Sequence, residues 1–400
     1  MTSRTVLISG ASIAGPALAH WLNVYGFTTT VVERADGIRP GGQTVDLRGA
    51  GREVARRMGI EDAVRAATTG EQGVRFVDAT GATRAEFGAD AYDGEGFVAE
   101  LEILRGELAT LLHEHTRDHT EYLFGDRISG LDDQPGRVRV TFDSGLERDF
   151  DLVVAADGIG SRTRRLVFGD EPQFRSLGMY TAYLTMPRAE SDGTWARWYN
   201  ATGGRVITLR PDNLGTTRAL LTLPARGEGY ERQPVDEQRA LLKRTFVDAG
   251  WEAPRVVAAL DGADDLYFEL TGQVRTPHWS RGRVALVGDA GYCASPISGM
   301  GTSLALVGAY VLAGELAASE DHRQAFAAYE RLLRPYVDKA QQLPPFTPRI
   351  AQPRTRAGIQ VLNSALWLGS RPWVSRLGRS KRLSPPADAF ELPDYLPVPV

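Results

Sequence analysis

Apolar runs and helical periodicities alternate from the first residues. Val6-Leu7-Ile8-Ser9 is a short β-branched and apolar run closed by Gly10, the pattern of a strand buried on both faces. Over 14–25 the apolar positions fall at helical spacing, with Leu18, Trp21 and Leu22 on one face, and Gly26 ends the run. Thr28–Glu33 is again strand-like, so the chain opens with a βαβ unit. Residues 100–116 read as a Leu-rich amphipathic helix. Residues 138–142 alternate like an exposed strand, and 152–156 read as a buried strand ending at Asp157-Gly158.

The texture changes from about 176 to 272. Segments 180–186, 195–199, 205–209 and 219–223 alternate and are separated by turn signals such as Gly203-Gly204 and Pro211-Asp212-Asn213. They predict an antiparallel sheet, with helices over 236–248 and 254–260. The buried-strand texture returns at Arg283-Val284-Ala285-Leu286-Val287. The expected architecture is therefore α/β, with one discontinuous nucleotide-binding domain (1–75, 100–175 and 273–338) into which an antiparallel-sheet domain is inserted (76–99 and 176–272). A C-terminal helix and tail follow over 339–400. From Lys339 to Ala387 there are nine Lys or Arg and no Asp or Glu, and Ile359, Leu362 and Leu366 share a helical face. A membrane-surface or partner helix is one reading of this stretch. A terminal helix docked on its own acidic body is the favoured one. The final residues, with Pro393, Pro397 and Pro399, are expected to be extended and frayed.

Composition narrows the function classes. At 42% apolar and 24% charged over 400 residues, the chain has ordinary globular material and enough of it for a large core. The single cysteine, Cys293, forms no internal disulfide and no cysteine zinc site by itself. A net charge of −4 argues against a general nucleic-acid binder. No apolar run of membrane-spanning length and no signal-peptide pattern is read, so a cytoplasmic location without stable membrane association is expected. Forty-three of the 46 basic residues are arginine, a skew that suits GC-rich coding better than any physical demand.

The chemistry-bearing pattern begins at Gly10-Ala11-Ser12-Ile13-Ala14-Gly15, between the first strand and the first helix. It matches a dinucleotide-binding turn except that Ser12 replaces the middle glycine. Gly10 permits the tight turn, Gly15 permits close helix–strand packing, and the helix N-terminal amides face a pyrophosphate. Glu33 ends the second strand, where a carboxylate would bind ribose hydroxyls and repel a 2′-phosphate, so the resident nucleotide reads as FAD or NAD. Far downstream, Gly288-Asp289 ends a buried strand and precedes Pro296-Ile297-Ser298-Gly299-Met300-Gly301 and an apolar helix. That arrangement suits a ribityl chain and flavin edge, or equally a plain strand–loop–helix connection. His113, His115 and His119 cluster near a helix end without convincing further ligands, and no metal is expected.

These features in this order resemble the class A flavoprotein aromatic hydroxylases, the group typified by para-hydroxybenzoate hydroxylase. The resemblance runs along nearly the whole chain. It rests on the N-terminal turn with Glu33-Arg34, on Arg105 after Glu102-Ile103-Leu104, on Asp157-Gly158-Ile159-Gly160-Ser161-Arg162, and on Gly288-Asp289 with Pro296, Gly299 and Gly301. Arg39-Pro40-Gly41-Gly42-Gln43-Thr44-Val45-Asp46-Leu47 is most similar to the tetracycline-inactivating branch. The fold implied is a Rossmann-like FAD-binding domain with an inserted antiparallel-sheet substrate domain and a C-terminal helix.

The resemblance also implies cofactor binding by Gly10, Ser12, Ala14, Gly15, Glu33, Arg34, Gly42, Asp46, Arg105, Asp157, Gly288, Asp289, Pro296, Gly299 and Gly301, with Asp157-Gly158 supporting both the flavin and the transient nicotinamide; the FAD is expected to be noncovalent, since no His or Cys stands out for attachment. Arg39 would help receive NADPH or NADH. NAD(P)H would reduce the flavin, O2 would add at C4a, and the hydroperoxide would transfer one oxygen to an aromatic or tetracycline-like polyketide. Three departures stand out. Tyr292 occupies a position where His is frequent, Ser303 one where Asn is common, and Gly308-Ala309 replaces a usual Asp-Ala.

Substrate-contact candidates on the inserted sheet are Tyr183, Arg197, Trp198, Tyr199 and Arg210; the arginines could hold a phenolate or enolate and the aromatics could stack on rings. Strand alternation leaves open which of them face inward. A monomer or weak homo-oligomer is expected. The alternatives are a flavin dehydrogenase or reductase without oxygen insertion, and a non-catalytic binder of aromatic ligands.

Overall fold

The computed structural model describes residues 3–89, 101–227, 229–343, 350–371 and 390–395. Thr5–Ser9 lies at the centre of a six-stranded sheet, paired in parallel with Thr28–Glu33 and with Leu152–Ala155. The strand order runs Ser280–Arg281, Val284–Leu286, Leu152–Ala155, Thr5–Ser9, Thr28–Glu33, Thr120–Phe124, parallel throughout except for the Ser280–Arg281 edge. Such a sheet is covered on both faces, and Val6-Leu7-Ile8 and Leu152–Ala155 at its centre are accordingly apolar and buried.

One face carries the helices Ala14–Val24, Gly301–Ala318 and His322–Ala340. The other is closed by Ile128, Val138, Val140, Phe142 and Phe150, from a three-stranded antiparallel sheet. The 138–142 run is thus half-exposed: its valines and Phe142 are buried, while Arg137 and Arg139 face solvent.

Gly301–Ala318 is hydrophobic all round because protein surrounds it. It has the length and apolarity of a membrane-spanning helix, with mean hydropathy 1.4, so the expectation that no such run exists is corrected. Here 78% of the run is buried as the central core helix, against Ala14–Val24 and Gly49–Arg57. Trp21 meets Tyr310 edge to face at 4.9 Å between ring centres.

The second layer is a seven-stranded sheet in the order Tyr267–Arg275, Gln173–Pro187, Thr216–Pro224, Arg205–Pro211, Ala196–Ala201, Gly73–Val77, Thr83–Gly88. One face packs on the helices Val235–Phe246 and Ala253–Ala259 through Tyr180, Leu184, Leu209, Leu221, Leu242 and Phe246. The opposite face looks toward the nucleotide-binding body.

Two further expectations change. The 100–116 helix is a strand, Leu101–Leu104, followed by a helix, Arg105–Thr116. Leu101–Leu104 is drawn out of the helix because it pairs antiparallel with Thr44–Leu47. Over 390–395 the C-terminal tail is strapped to the body and not frayed; Pro397 and Pro399 lie outside the described residues. Tyr395 donates to Glu315 at 2.7 Å, the Pro393 carbonyl accepts from Tyr310 at 2.7 Å, and Asp394 pairs with Arg57. The helix Arg356–Gly369 lies against Thr83–Gly88, with Ile359, Leu362 and Leu366 on its less exposed side and Leu366 against the Phe76 and Phe87 cluster.

Candidate functional site

Two segments nearly three hundred residues apart in sequence form one floor. Gly10 sits at φ +111°, where a Cβ would lie 2.6 Å from the Ala156 carbonyl oxygen, and a Cβ on Gly15 would overlap the Gly10 carbonyl. Both glycines are therefore required by close backbone approach. The helix that follows has no side-chain cap, which leaves its first amides to a ligand. Gly288, at φ +63°, brings the second segment in; a Cβ there would lie 3.1 Å from Ala14 Cβ. The loop through Pro296–Ser298 follows, and a Cβ on its Gly299 would lie 3.6 Å from an Asp46 carboxylate oxygen. It contains Ser295 at φ +82°, a conformation rare for a non-glycine residue.

Ala11, Ser12, Glu33, Gly37, Ile38, Arg39, Arg105 and Ala109 line a recess next to this turn. Arg105 donates to Ser12 Oγ at 3.2 Å and to the Gly41 carbonyl at 2.6 Å. A Cβ on Gly42 would come within 2.5 Å of Arg105 Nε, so glycine there lets the guanidinium seat. Burial and the nearby Arg39 charge push the Arg105 guanidinium below its ordinary value. Two cations facing one recess, neither paired with a carboxylate among the described residues, favour an anion between them. Glu33 accepts from the Ala11 and Ala35 amides at 3.0 and 3.1 Å, which fixes the carboxylate at the recess wall. The glycine turn, the uncapped helix, the paired cations and the wall carboxylate fit the pyrophosphate and ribose of FAD. Arg34 is exposed beside Glu33 and does not line the recess.

Beside the recess the seven-stranded sheet brings Tyr267 and Glu269 within electrostatic reach of Asp289. Asp289 is exposed as a residue, yet the protein atoms around its carboxyl raise its pKa. Asp46 lies close to the Gly299 loop and accepts from Arg48 at 2.9 Å. Ser303 binds the Arg48 backbone, accepting from its amide at 3.3 Å and donating to its carbonyl at 3.1 Å. Asp157 is used differently. Its carboxylate accepts from Ser161 Oγ, from the Thr163 amide at 3.1 Å and from Thr163 Oγ1 at 3.0 Å, so it shapes the turn into Arg162–Phe168. Gly301 begins the core helix and meets no neighbour that excludes a side chain.

Strand register settles which sheet residues lie on the face opposite the helices. Trp198 pairs with Thr208, Thr208 with Leu220, Leu220 with Tyr183 and Tyr183 with Tyr267, so all share a face. Arg210 and Arg218 pair on the same face. Arg197 and Tyr199 fall on the other. Tyr199 donates to the Ala249 carbonyl at 2.7 Å beneath the helices, and Arg197 pairs with Asp192 and Glu252. These two are not brought to that face, because a strand turns successive side chains to opposite faces.

Trp198 is partly buried in a separate cluster with Phe76 and Phe87 and donates to Asn200 at 3.0 Å. Arg210 faces inward but is gripped by Glu71 and Glu102, at 2.6 and 2.5 Å. Tyr183 lies on the face opposite the helices, and sequence reasoning missed its partners Tyr267 and Glu269. Their i, i+2 spacing was visible, but only pairing with Gln173–Pro187 places them opposite Asp289. The three histidines are set apart, with His119 exposed at the turn after the helix. His113 stacks edge-on against Tyr122, and His115 lies against His20, whose pKa burial lowers to about 4.

Comparison with known proteins agrees with this geometry. The FAD binding domain family matches residues 3–343. A flavin-dependent monooxygenase of an unknown prokaryotic organism is 41% identical over 343 residues, covering 85% of this chain and 88% of the relative. The flavin-dependent monooxygenase eupH of Phoma sp. is 35% identical, covering 99% of this chain and 98% of its own. The crystal structure of tetracycline destructase Tet(55) superposes with a TM-score of 0.80 at 36% identity, covering 98% of this chain and 99% of the other.

Proposed function

The chain belongs to the FAD binding domain family and is a flavin-dependent monooxygenase, and from that premise we propose that it hydroxylates an aromatic or polyketide, tetracycline-like small molecule held beneath the seven-stranded sheet. Bound FAD, reduced by NAD(P)H, supplies the oxygen-activating chemistry. This chain's residues bind, orient and shield. The 10–15 turn and Arg105 would receive the pyrophosphate, with Ser12, Ala14 and Gly42 giving the close approach. Glu33 would hold the ribose. Asp46, Asp289, Pro296, Gly299 and Gly301 would line the flavin end, Asp157 and Gly288 would shape its loops, and Arg39 with the exposed Arg34 would meet the nicotinamide nucleotide. Tyr183 would contact substrate.

The single observation that carries the reading is the close approach of Gly288 to Ala14, which supports one nucleotide site shared by the 10–15 turn and the segment that begins at Gly288. Likeness to tetracycline destructase Tet(55) over almost the whole chain supports the substrate class. A monomer or weak homo-oligomer in the cytoplasm, where nicotinamide nucleotides are supplied, completes the proposal.

The test is anaerobic mixing of the yellow holoprotein with NADPH, with and without tetracycline, followed by admission of oxygen. Faster bleaching with the ligand, and a product heavier by one oxygen atom, are the expected results. Bleaching without oxygen gain would favour a dehydrogenase. Tight ligand binding without NADPH turnover would favour a binder.

A further inference from the structure

Glu269 is held in an unusual way. It follows Tyr267 by two residues on the edge strand Tyr267–Arg275, so both project from the same sheet face, where Tyr267 pairs in register with Tyr183. The two tyrosine rings stack with centres 6.1 Å apart. Tyr183 donates its hydroxyl to Glu269 Oε1 at 3.3 Å and Tyr267 donates to Oε2 at 3.0 Å. The groups electrostatically nearest this trio are Asp289, Cys293, Arg39 and Arg105. Among the described residues no cation pairs with Glu269. Two arginines on the same face are taken, Arg210 by Glu71 and Glu102 and Arg218 by Asp212, while Arg275 at the end of the same strand face donates to Gln273 and to the Gln341 carbonyl. This face of the sheet therefore offers a substrate a carboxylate set between two phenols.

We propose that Glu269 is the proton acceptor for a phenolic or enolic hydroxyl of the substrate, so that the substrate is presented to the flavin as its anion. This rests on the monooxygenase reading above. The substrate O–H bond breaks, a new O–H bond forms on a Glu269 carboxylate oxygen, and the electron pair stays on the substrate oxygen. No oxidant is consumed. The phenolate or enolate so formed is the more electron-rich carbon nucleophile, which is what oxygen transfer needs. Glu269 is suited to the task because burial and Asp289 push its carboxyl up to about 7, near a hydroxyl acid's range. The hydroxyl of Tyr267, a residue 41% exposed, links it to solvent for return of the proton. The substrate class follows: neutral phenols and enols, which carry the hydroxyl proton that Glu269 takes.

The test uses FAD-loaded protein and 3-nitrophenol, whose ionisation is read from its own absorbance, at about pH 7.5, where the free compound is mostly neutral. Wild type is expected to raise the phenolate fraction severalfold on binding, with no proton released to a dilute indicator buffer. Glu269→Gln, with its flavin absorbance checked, is expected either to bind the neutral phenol or to release one proton per phenolate bound. Glu269→Asp, which keeps the charge, is expected to restore part of the wild-type signal, and it is read in place of Gln if that variant fails to hold FAD. Wild type that binds only the neutral form, releases the proton or does not bind overturns the proposal, as does a Gln variant indistinguishable from wild type. NADPH bleaching stimulated by tetracycline is scored in the same samples, so failure of the monooxygenase reading is seen separately.

Discussion

The hydroxyl of Tyr292 occupies the space that a Cβ on Gly308 would need. Tyr292 is buried, and its hydroxyl is fixed by Tyr329 at 2.7 Å, which in turn donates to the Leu286 carbonyl at 3.1 Å. Both residues are departures from the pattern of the aromatic hydroxylases, the first replacing a frequent His and the second an Asp. Along the chain they read as two unrelated losses. In the fold they are one arrangement, in which a longer ring beside the flavin loop is accommodated by a glycine on the core helix.

Gly308→Ala is therefore expected to destabilise the protein by about 1–3 kcal/mol through overpacking, although alanine is the better helix former. Tyr292→Phe removes the overlapping oxygen. The double variant should lose less than the sum of the two single changes, because they share one volume. Thermal denaturation of all four proteins measures this; additive losses would show that the contact does not govern the pair.

Arg105→Ala should weaken FAD binding by about 10- to 150-fold, the range expected for a hydrogen bond to a charged group worth about 1.5–3 kcal/mol. Fluorescence titration of apoprotein with FAD reads it directly. Unchanged affinity would remove Arg105 from the pyrophosphate seat.

Arg210→Met leaves Glu71 and Glu102 facing each other with side chains only 1% and 3% exposed. Removing the cation from such a buried cluster should cost about 3–5 kcal/mol. Because the stranded carboxylates can be neutralised by protonation, the loss should be smaller at about pH 5.5 than at pH 8. A melting temperature equal to wild type at both pH values would contradict the cluster's role.

The Glu269 carboxyl titrates near 7 in the fold against an ordinary 4.5. Between those values the folded chain holds more protons than the unfolded one, so this group's contribution to stability falls as pH rises from about 4.5 through 7. Glu269→Gln removes that slope. The variant should gain stability relative to wild type on going from pH 5 to pH 8, as measured by urea denaturation; a constant difference would place the carboxyl's titration elsewhere.

Tyr395→Ala should release the strap over the core helix, where the ring packs on Gly314 and bonds to Glu315. A loss of about 1–3 kcal/mol is expected from the buried aromatic surface. Faster proteolysis of the C-terminal tail, with FAD affinity unchanged, is the matching readout.

What the sequence determined by itself is whatever depends on local spacing. The βαβ opening, the glycine turn with Glu33, the Gly288-Asp289 loop and the alternating insert were legible because each is written in consecutive residues. The 100–116 stretch was misread because a four-residue strand depends on a partner, Thr44–Leu47, that no local pattern names. The tail was misread for the same reason, since Tyr395 is ordered by a helix remote in sequence. Alternation said that half of the sheet residues face the nucleotide-binding body but not which half. That needed interstrand register, which put Tyr183 with Tyr267 and turned Arg197 and Tyr199 away. Likewise Arg210 looked available for an anionic substrate until tertiary structure set two carboxylates against it. Charge, like burial, belongs to a residue's neighbours in space, and long-range packing chooses them.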